Sequence, residues 1–239
     1  MSEVKTSKWP KTFDALTEQQ AQISDDFMKY WHTVLPNKYG IVDKFNHEYP
    51  VIHAPKNFVT TLEIGAGIGE HLLYEKLTPR QEKNYVATDI RQNMIDELKN
   101  RFPNITAMVA DCQKPMDFAD GYFDRVVAIH ILEHLPNLPL AVREMHRLCK
   151  KGTGVLSIVI PCEGSAAYTL ARKISAQRIF EQRYNQSYRW FIEREHINLP
   201  NEIFEELKPY FTLTHARYFP FPVHLQFCNL CIGATFSPK

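Results

Sequence analysis

The sequence predicts an α/β fold: a mostly parallel seven-stranded sheet with an antiparallel edge strand and helices on both faces, extended by an N-terminal helical segment and a lid insertion. Three observations predict it. From about residue 58, short apolar runs alternate with helical stretches, the pattern of βαβ units. The first four of these runs lead into glycine, aspartate or histidine, and open α/β sheets gather their polar residues at the carboxyl ends of the strands. A long segment, 161–199, then breaks the alternation after the fifth run, and connections of that length are unusual unless they carry a function.

Taken in order, residues 1–55 form a polar and aromatic segment with a helix expected between Thr17 and Thr33, and Pro50 and Pro55 punctuate the approach to the first strand. Strands are expected at Phe58–Ile64, Tyr85–Asp89, Ile105–Ala110, Phe123–Ile129 and Val155–Ile160. Helices are expected between them at Glu70–Leu77, Gln92–Phe102 and Leu138–Cys149, the last closed by Lys151-Gly152. After the insertion come a helix at Ile203–Leu207 and two strand-like runs, Phe211–Tyr218 and Gln226–Phe236, an antiparallel pair at the sheet edge.

Composition narrows the function. The 239 residues are 44% hydrophobic and 23% charged, with a net charge of +1. That balance excludes a molecule held to nucleic acid by its overall field, though not one with a local basic face. No apolar run approaches the roughly 18 residues of a membrane helix, and Met1 to Gln22 has no apolar signal core, so a cytoplasmic protein is expected. The five cysteines are scattered. Cys228 and Cys231 make one CxxC, but residues three apart on a strand point to opposite faces and His224 is the lone nearby histidine, so no metal site is expected.

The stretch Thr61 to His71, TLEIGAGIGEH, is the most informative. A strand runs into glycines at 65, 67 and 69 and a helix follows, so a ligand can approach bare backbone at a helix start. A phosphate loop of GxxxxGK[ST] form is absent. The dinucleotide pattern GxGxxG fails because its third glycine falls on Glu70, whose charge would repel a pyrophosphate. The form GxGxG with an acid two before the first glycine resembles the first motif of the class I methyltransferases. Asp89, closing the second strand, and Asp111-Cys112, closing the third, resemble the acidic positions of the same family. FDRVVAIHILEHL, Phe123 to Leu135, resembles its fourth strand with a following His–x–x–Glu–His.

The resemblance spans roughly residues 58 to 236, down to a tail of His196-Ile-Asn-Leu-Pro that is similar to the last third of many small-molecule methyltransferases of types 11 and 25. It implies a Rossmann-like domain over 56–239 with a substrate-cap insertion at 161–199. It also implies S-adenosyl-L-methionine as cofactor, with S-adenosyl-L-homocysteine as product. By resemblance Glu63, Gly65, Ala66 and Gly67 cradle the methionine part, Asp89 takes the ribose hydroxyls, Ile90 packs on adenine, Asp111 and Cys112 read its edge, and His130 lies beside the methionine part. Asp89 could instead cap the helix 92–102. Asp124 is expected to be structural.

Transfer from a sulfonium needs alignment above all, and a base only for a protonated acceptor. The base candidates are His130, His134 and His196, with Glu133 behind them. Arg172, Lys173, Arg178, Arg183, Arg189 and Arg194 could meet an acidic acceptor, or form a solvated face with Glu181, Glu193 and Glu195. Tyr168, Tyr184, Tyr188, Trp190 and Phe191, with Phe27, Tyr30 and Trp31, could cap the acceptor or simply pack. The function expected is O- or N-methylation of a small molecule. Alternatives are a methyltransferase acting on RNA or protein, and a non-catalytic cofactor-binding regulator. Against a nucleobase amine, no Asn/Asp-Pro-Pro-aromatic motif follows the fourth strand. No membrane partner is expected, nucleic acid is disfavoured as a partner, and a homodimer stays open.

Overall fold

The computed structural model describes residues 8–38, 40–225 and 228–239, without the side chains of 31–38. Part of the N-terminal segment, the side chain of Trp31 and the start of the expected run at Gln226 therefore lie outside the described residues. No helix among the described residues is long and apolar enough to cross a membrane.

Seven strands form one sheet: β1 (Thr61–Ile64), β2 (Tyr85–Asp89), β3 (Thr106–Val109), β4 (Arg125–Ile129), β5 (Val155–Pro161), β6 (Phe211–Phe219) and β7 (Cys231–Pro238). Their order is β3-β2-β1-β4-β5-β7-β6. The first five pair in parallel, β7 runs antiparallel to both β5 and β6, and β6 forms the far edge. Strand alternation divides the core. Leu62, Ile64, Val126, Ala128 and Ile158 face α5 (Leu138–Leu148) and α9 (Pro200–Leu207). Tyr85, Ala87 and Ala107 face α4 (Gln92–Arg101) through Ile95 and Leu98. On the same side α2 (Gly40–Ile52) lays Tyr49 so close to Gly233 that a Cβ there would lie 2.4 Å from the ring.

The sequence pattern and the fold part company at three places. The N-terminal helix α1 runs over Glu18–Lys38, and α2 follows it with Pro50 inside. Proline in a helix loses a hydrogen bond and crowds the preceding turn, hence the expected break. Here Pro50 stands in the last turn, and burial of Asn46, Tyr49 and Pro50 outweighs that cost. The helix expected at Glu70–Leu77 is only a 3-10 turn, His71–Leu73, followed by a separate α3 (Pro79–Lys83). Thr78 caps α3 with a full Thr78–Gln81 capping box and Pro79 starts it, so the Thr-Pro pair restarts the helix rather than continuing it. Gly152 lies in a turn beyond α5, whose C-cap is an extended Cys149.

The insertion after β5 is helical: α6 (Ala166–Arg172), a π turn at Lys173–Gln177, α7 (Arg178–Tyr184) and α8 (Arg189–Glu195). Its aromatic residues do pack. Phe27 of α1 is buried edge-on against Phe180 and Phe191, with ring centroids 5.0 and 5.2 Å away, and Tyr188 closes the cluster. This small second core ties α1 to the insertion.

Candidate functional site

In this strand order the connection from β1 leaves toward β2 while β4 lies on its other side, so the crevice between the carboxyl ends of β1 and β4 is where a doubly wound sheet binds ligands. The glycine loop fills one wall of it. Gly65, Gly67 and Gly69 have φ of +71°, +55° and +87°. At Gly65 close approach is also required: an added Cβ would stand 1.9 Å from Cδ1 of Ile131, a residue that sequence reasoning passed over. The Ala66 N–H donates to the Thr88 carbonyl at 2.8 Å, tying the loop to β2.

Asp89 closes β2 beneath this loop. It accepts from the Gly67 N–H at 3.1 Å and from the Arg91 N–H at 2.9 Å, and the Arg91 guanidinium reaches both its oxygens at 3.1 and 3.3 Å. The carboxylate is thus fixed by backbone on one side and covered on the other by a half-exposed arginine. It does not cap α4, whose N-cap is Arg91. Ile90 next to it is 63% exposed, an apolar face held open at a strand end. Asp111 sits at the end of β3. Burial opposes its charge, but the Gln113 backbone and amide, with Lys114, hold its carboxyl below the usual range. Cys112 is buried, and burial pushes its thiol up to about 12, so it is an inert packing residue.

Glu63 lies one layer deeper. Its carboxyl accepts from the Tyr85 hydroxyl at 2.8 Å, and burial pushes its pKa up to about 8 against the lowering effect of that bond. Asp124 is remote from these groups. It binds the Val59 and Thr60 N–H groups and Lys150, a staple at the amino ends of the strands, as expected.

The opposite wall is built from the segment after β4. His130 adopts φ +52°, an uncommon conformation for a residue with a side chain, while its N–H holds the Val159 carbonyl. This kink turns its Nδ1 to within 3.0 Å of Glu133. Burial opposes a charge on His130, but Cys231 and Glu133 more than compensate and raise its pKa to about 10. The 3-10 turn Leu132–His134 then meets the chain at His196–Leu199. Fully buried Asn198 donates to the Leu132 and Leu135 carbonyls, and the Ile197 and Asn198 N–H groups both donate to the Glu133 carbonyl. That staple sets His134 beside His196, ring centroids 5.2 Å apart. His196 Nδ1 meets Glu163 at 2.8 Å and His134 Nδ1 meets Glu195 at 3.6 Å.

The three candidate bases are therefore brought together, with two acids and Asn198 that sequence reasoning did not assign. Asn198 was visible only as one letter of His-Ile-Asn-Leu-Pro. Glu163 had a signal: it is polar and falls two residues beyond the end of β5. A cavity of about 350 Å³ opens between Glu163, His196 and the inserted helices, lined also by Arg172, Tyr188 and Arg189. The arginines mostly have acidic partners: Arg172 pairs with Glu163, Arg183 with Asp26 and Arg189 with Glu193. Of these pairs, Arg189–Glu193 uses one of the interspersed glutamates, whereas Arg183 reaches α1 and Arg172 pairs inside the cavity wall.

Residues 62–157 match the family model described as methyltransferase domain. No curated protein matches the chain. Among solved structures, the chain is similar to a SAM-dependent methyltransferase from Thermotoga maritima described as a possible histamine N-methyltransferase. The two share 14% identity at a TM-score of 0.63, covering 91% of this chain and 99% of that one. A TehB-like SAM-dependent methyltransferase from Corynebacterium glutamicum gives 16% identity and a TM-score of 0.58, over 92% and 100%. The methyltransferase CalH, solved with SAH, gives 21% and 0.58, over 87% and 62%.

Proposed function

We propose, from the premise that this chain carries a class I, Rossmann-like S-adenosylmethionine-dependent methyltransferase domain, that its methyl acceptor is a small molecule taken up beneath the inserted helices. The observation that carries this reading is the cavity of about 350 Å³ beside His196, within the size range of small-molecule sites and roofed by residues 166–195. The histamine suggested for the Thermotoga neighbour is an acceptor of that size class.

The groups at the strand ends suit the cofactor. The left-handed glycine backbone at Gly65 and Gly67 suits its methionine part, Asp89 its ribose, exposed Ile90 one adenine face, and Asp111 with the Cys112 backbone the adenine edge. Bound there, S-adenosylmethionine supplies a methyl already activated on a sulfonium, so the protein's share is alignment and exclusion of water. An acceptor hydroxyl or ammonium must also lose a proton. His196 lines the cavity with Nδ1 held by Glu163, so its remaining ring nitrogen, Nε2, is the one that can either take that proton or hold a group that makes the acceptor give it up.

Transfer of labelled methyl from S-adenosylmethionine into a fractionated cell extract tests the reading. Label is expected in the small-molecule fraction, and label in RNA or protein instead would overturn it. A second expectation concerns the roof. Phe27→Ala removes the centre of the small aromatic core, and losses of about 3–5 kcal/mol are typical of such truncations. Because that core holds α1 to the insertion rather than to the sheet, the variant should raise the acceptor KM while the cofactor Kd stays within about twofold. Equal losses in both would mean the roof does not act on the acceptor alone.

A further inference from the structure

We propose that Glu133, His134 and His196 form a binding site for one divalent transition-metal cation of the zinc, iron or manganese kind, at the floor of the acceptor cavity. The inference deepens the small-molecule reading, and it rests on that reading only for the cation's role toward the acceptor.

One ligand atom from each of the three residues lies within 4.8 Å of the others. An ion with bonds of about 2.1 Å wants tetrahedral ligand atoms about 3.4 Å apart, so closing the set takes side-chain movement of about 1 Å. Two imidazoles and one carboxylate suit zinc, iron or manganese better than magnesium, which prefers oxygen alone.

Two features beyond proximity point to a cation. Glu133 is 1% exposed, and its Oε2 is buried without a hydrogen-bond partner, while Oε1 takes His130. A charged acceptor left unmade in the interior is costly, and a cation would satisfy it. His196, moreover, has Nδ1 hydrogen-bonded to the Glu163 carboxylate at 2.8 Å, and the Glu195 carboxylate lies 3.6 Å from His134 Nδ1. A carboxylate behind Nδ1 is how metal-bound histidines are commonly supported, with Nε2 left as the ligand atom. Because Glu163 and His196 also line the cavity, a cation here would have an open side toward an acceptor oxygen or nitrogen.

The spacing in sequence hid the site. Glu133 and His134 are adjacent, but the third ligand comes from the end of the insertion, and the hydrogen bonds of Ile197 and Asn198 to the 132–135 turn bring it near.

The test uses cobalt(II) as probe. Chelator-treated full-length protein titrated with cobalt(II) is expected to bind one equivalent, with visible ligand-field absorption that zinc(II) abolishes. Glu163→Gln should weaken cobalt binding about 10- to 100-fold by loss of support behind His196. His196→Gln should weaken it at least as much, with S-adenosylmethionine affinity retained as proof of fold. No visible bands in the wild-type protein, or the same affinity in both variants as in wild type, would overturn the site. Absent bands together with label still entering the small-molecule fraction would remove the metal and leave the acceptor reading standing. Cobalt binding with label in RNA or protein would do the reverse.

Discussion

Asp89→Ala is expected to weaken S-adenosylmethionine binding by about 10- to 100-fold, measured by calorimetry, with the folded state retained. The magnitude follows from losing a charged hydrogen bond of about 1.5–3 kcal/mol. The geometry adds a second reason. The same carboxylate receives the Gly67 N–H, so its removal also frees the glycine loop proposed to cradle the methionine part. Arg91 separates the two contributions. Its guanidinium occupies the two oxygens that ribose hydroxyls would need, so it must move aside on binding. Arg91 is partly exposed and its pair with Asp89 is worth about 0–1 kcal/mol. Arg91→Ala should therefore leave the affinity unchanged or raise it up to about fivefold. Unchanged affinity in Asp89→Ala would mean that the ribose lies elsewhere.

The parallel sheet was legible because its central strands β1, β2, β4 and β5 are buried on both faces and read as short apolar runs. Tyr85–Asp89 was read to the residue, and the ends of β1, β2 and β4 fell where expected. The glycine-lined crevice at the carboxyl ends of β1 and β4 was legible for a related reason. Glycine at 65 and 67 and aspartate at 89 answer to local needs, a left-handed turn and a strand-end acceptor, that one stretch of sequence records. The opposite wall of the crevice was not legible. Ile131 matters through its contact with Gly65, and Glu163, Glu195 and Asn198 act through partners far along the chain. α2 was hidden because Pro50 announces a stop that burial overrides. The aromatic residues of the insertion could be counted, but not paired with Phe27 of α1, since such a core has no sequence period.

The largest stability effect is expected at Arg125, a residue that the sequence presents only as the start of an apolar strand. It is fully buried, with Nη1 2.5 Å from Glu75, itself 4% exposed and 2.9 Å from His71. Removing one partner of such a pair leaves an uncompensated charge in the interior, so Arg125→Ala should cost about 3–5 kcal/mol in urea unfolding at pH 7. Against a typical total of about 5–15 kcal/mol, that is a large share. Replacing both partners, Arg125→Met with Glu75→Leu, should recover most of the loss, because the pair's attraction mainly offsets its own desolvation. A loss under about 1 kcal/mol for the single variant would show that water reaches Glu75. Glu63 in the same layer adds a pH dependence. Its carboxyl gives up its proton near 4.5 when unfolded but near 8 when folded, so the native state holds the extra proton between these values and stability falls as pH rises through them. His71, held near 4 in place of 6.5, works in the opposite direction only below about pH 6.5. Between pH 6.5 and 8 the fall from Glu63 is therefore uncovered, at about 2 kcal/mol, and adds to the one from His130, whose proton is retained to about pH 10. Glu63→Gln should remove the Glu63 share and flatten that part of the profile. An unaltered slope would place the proton on another group of the layer.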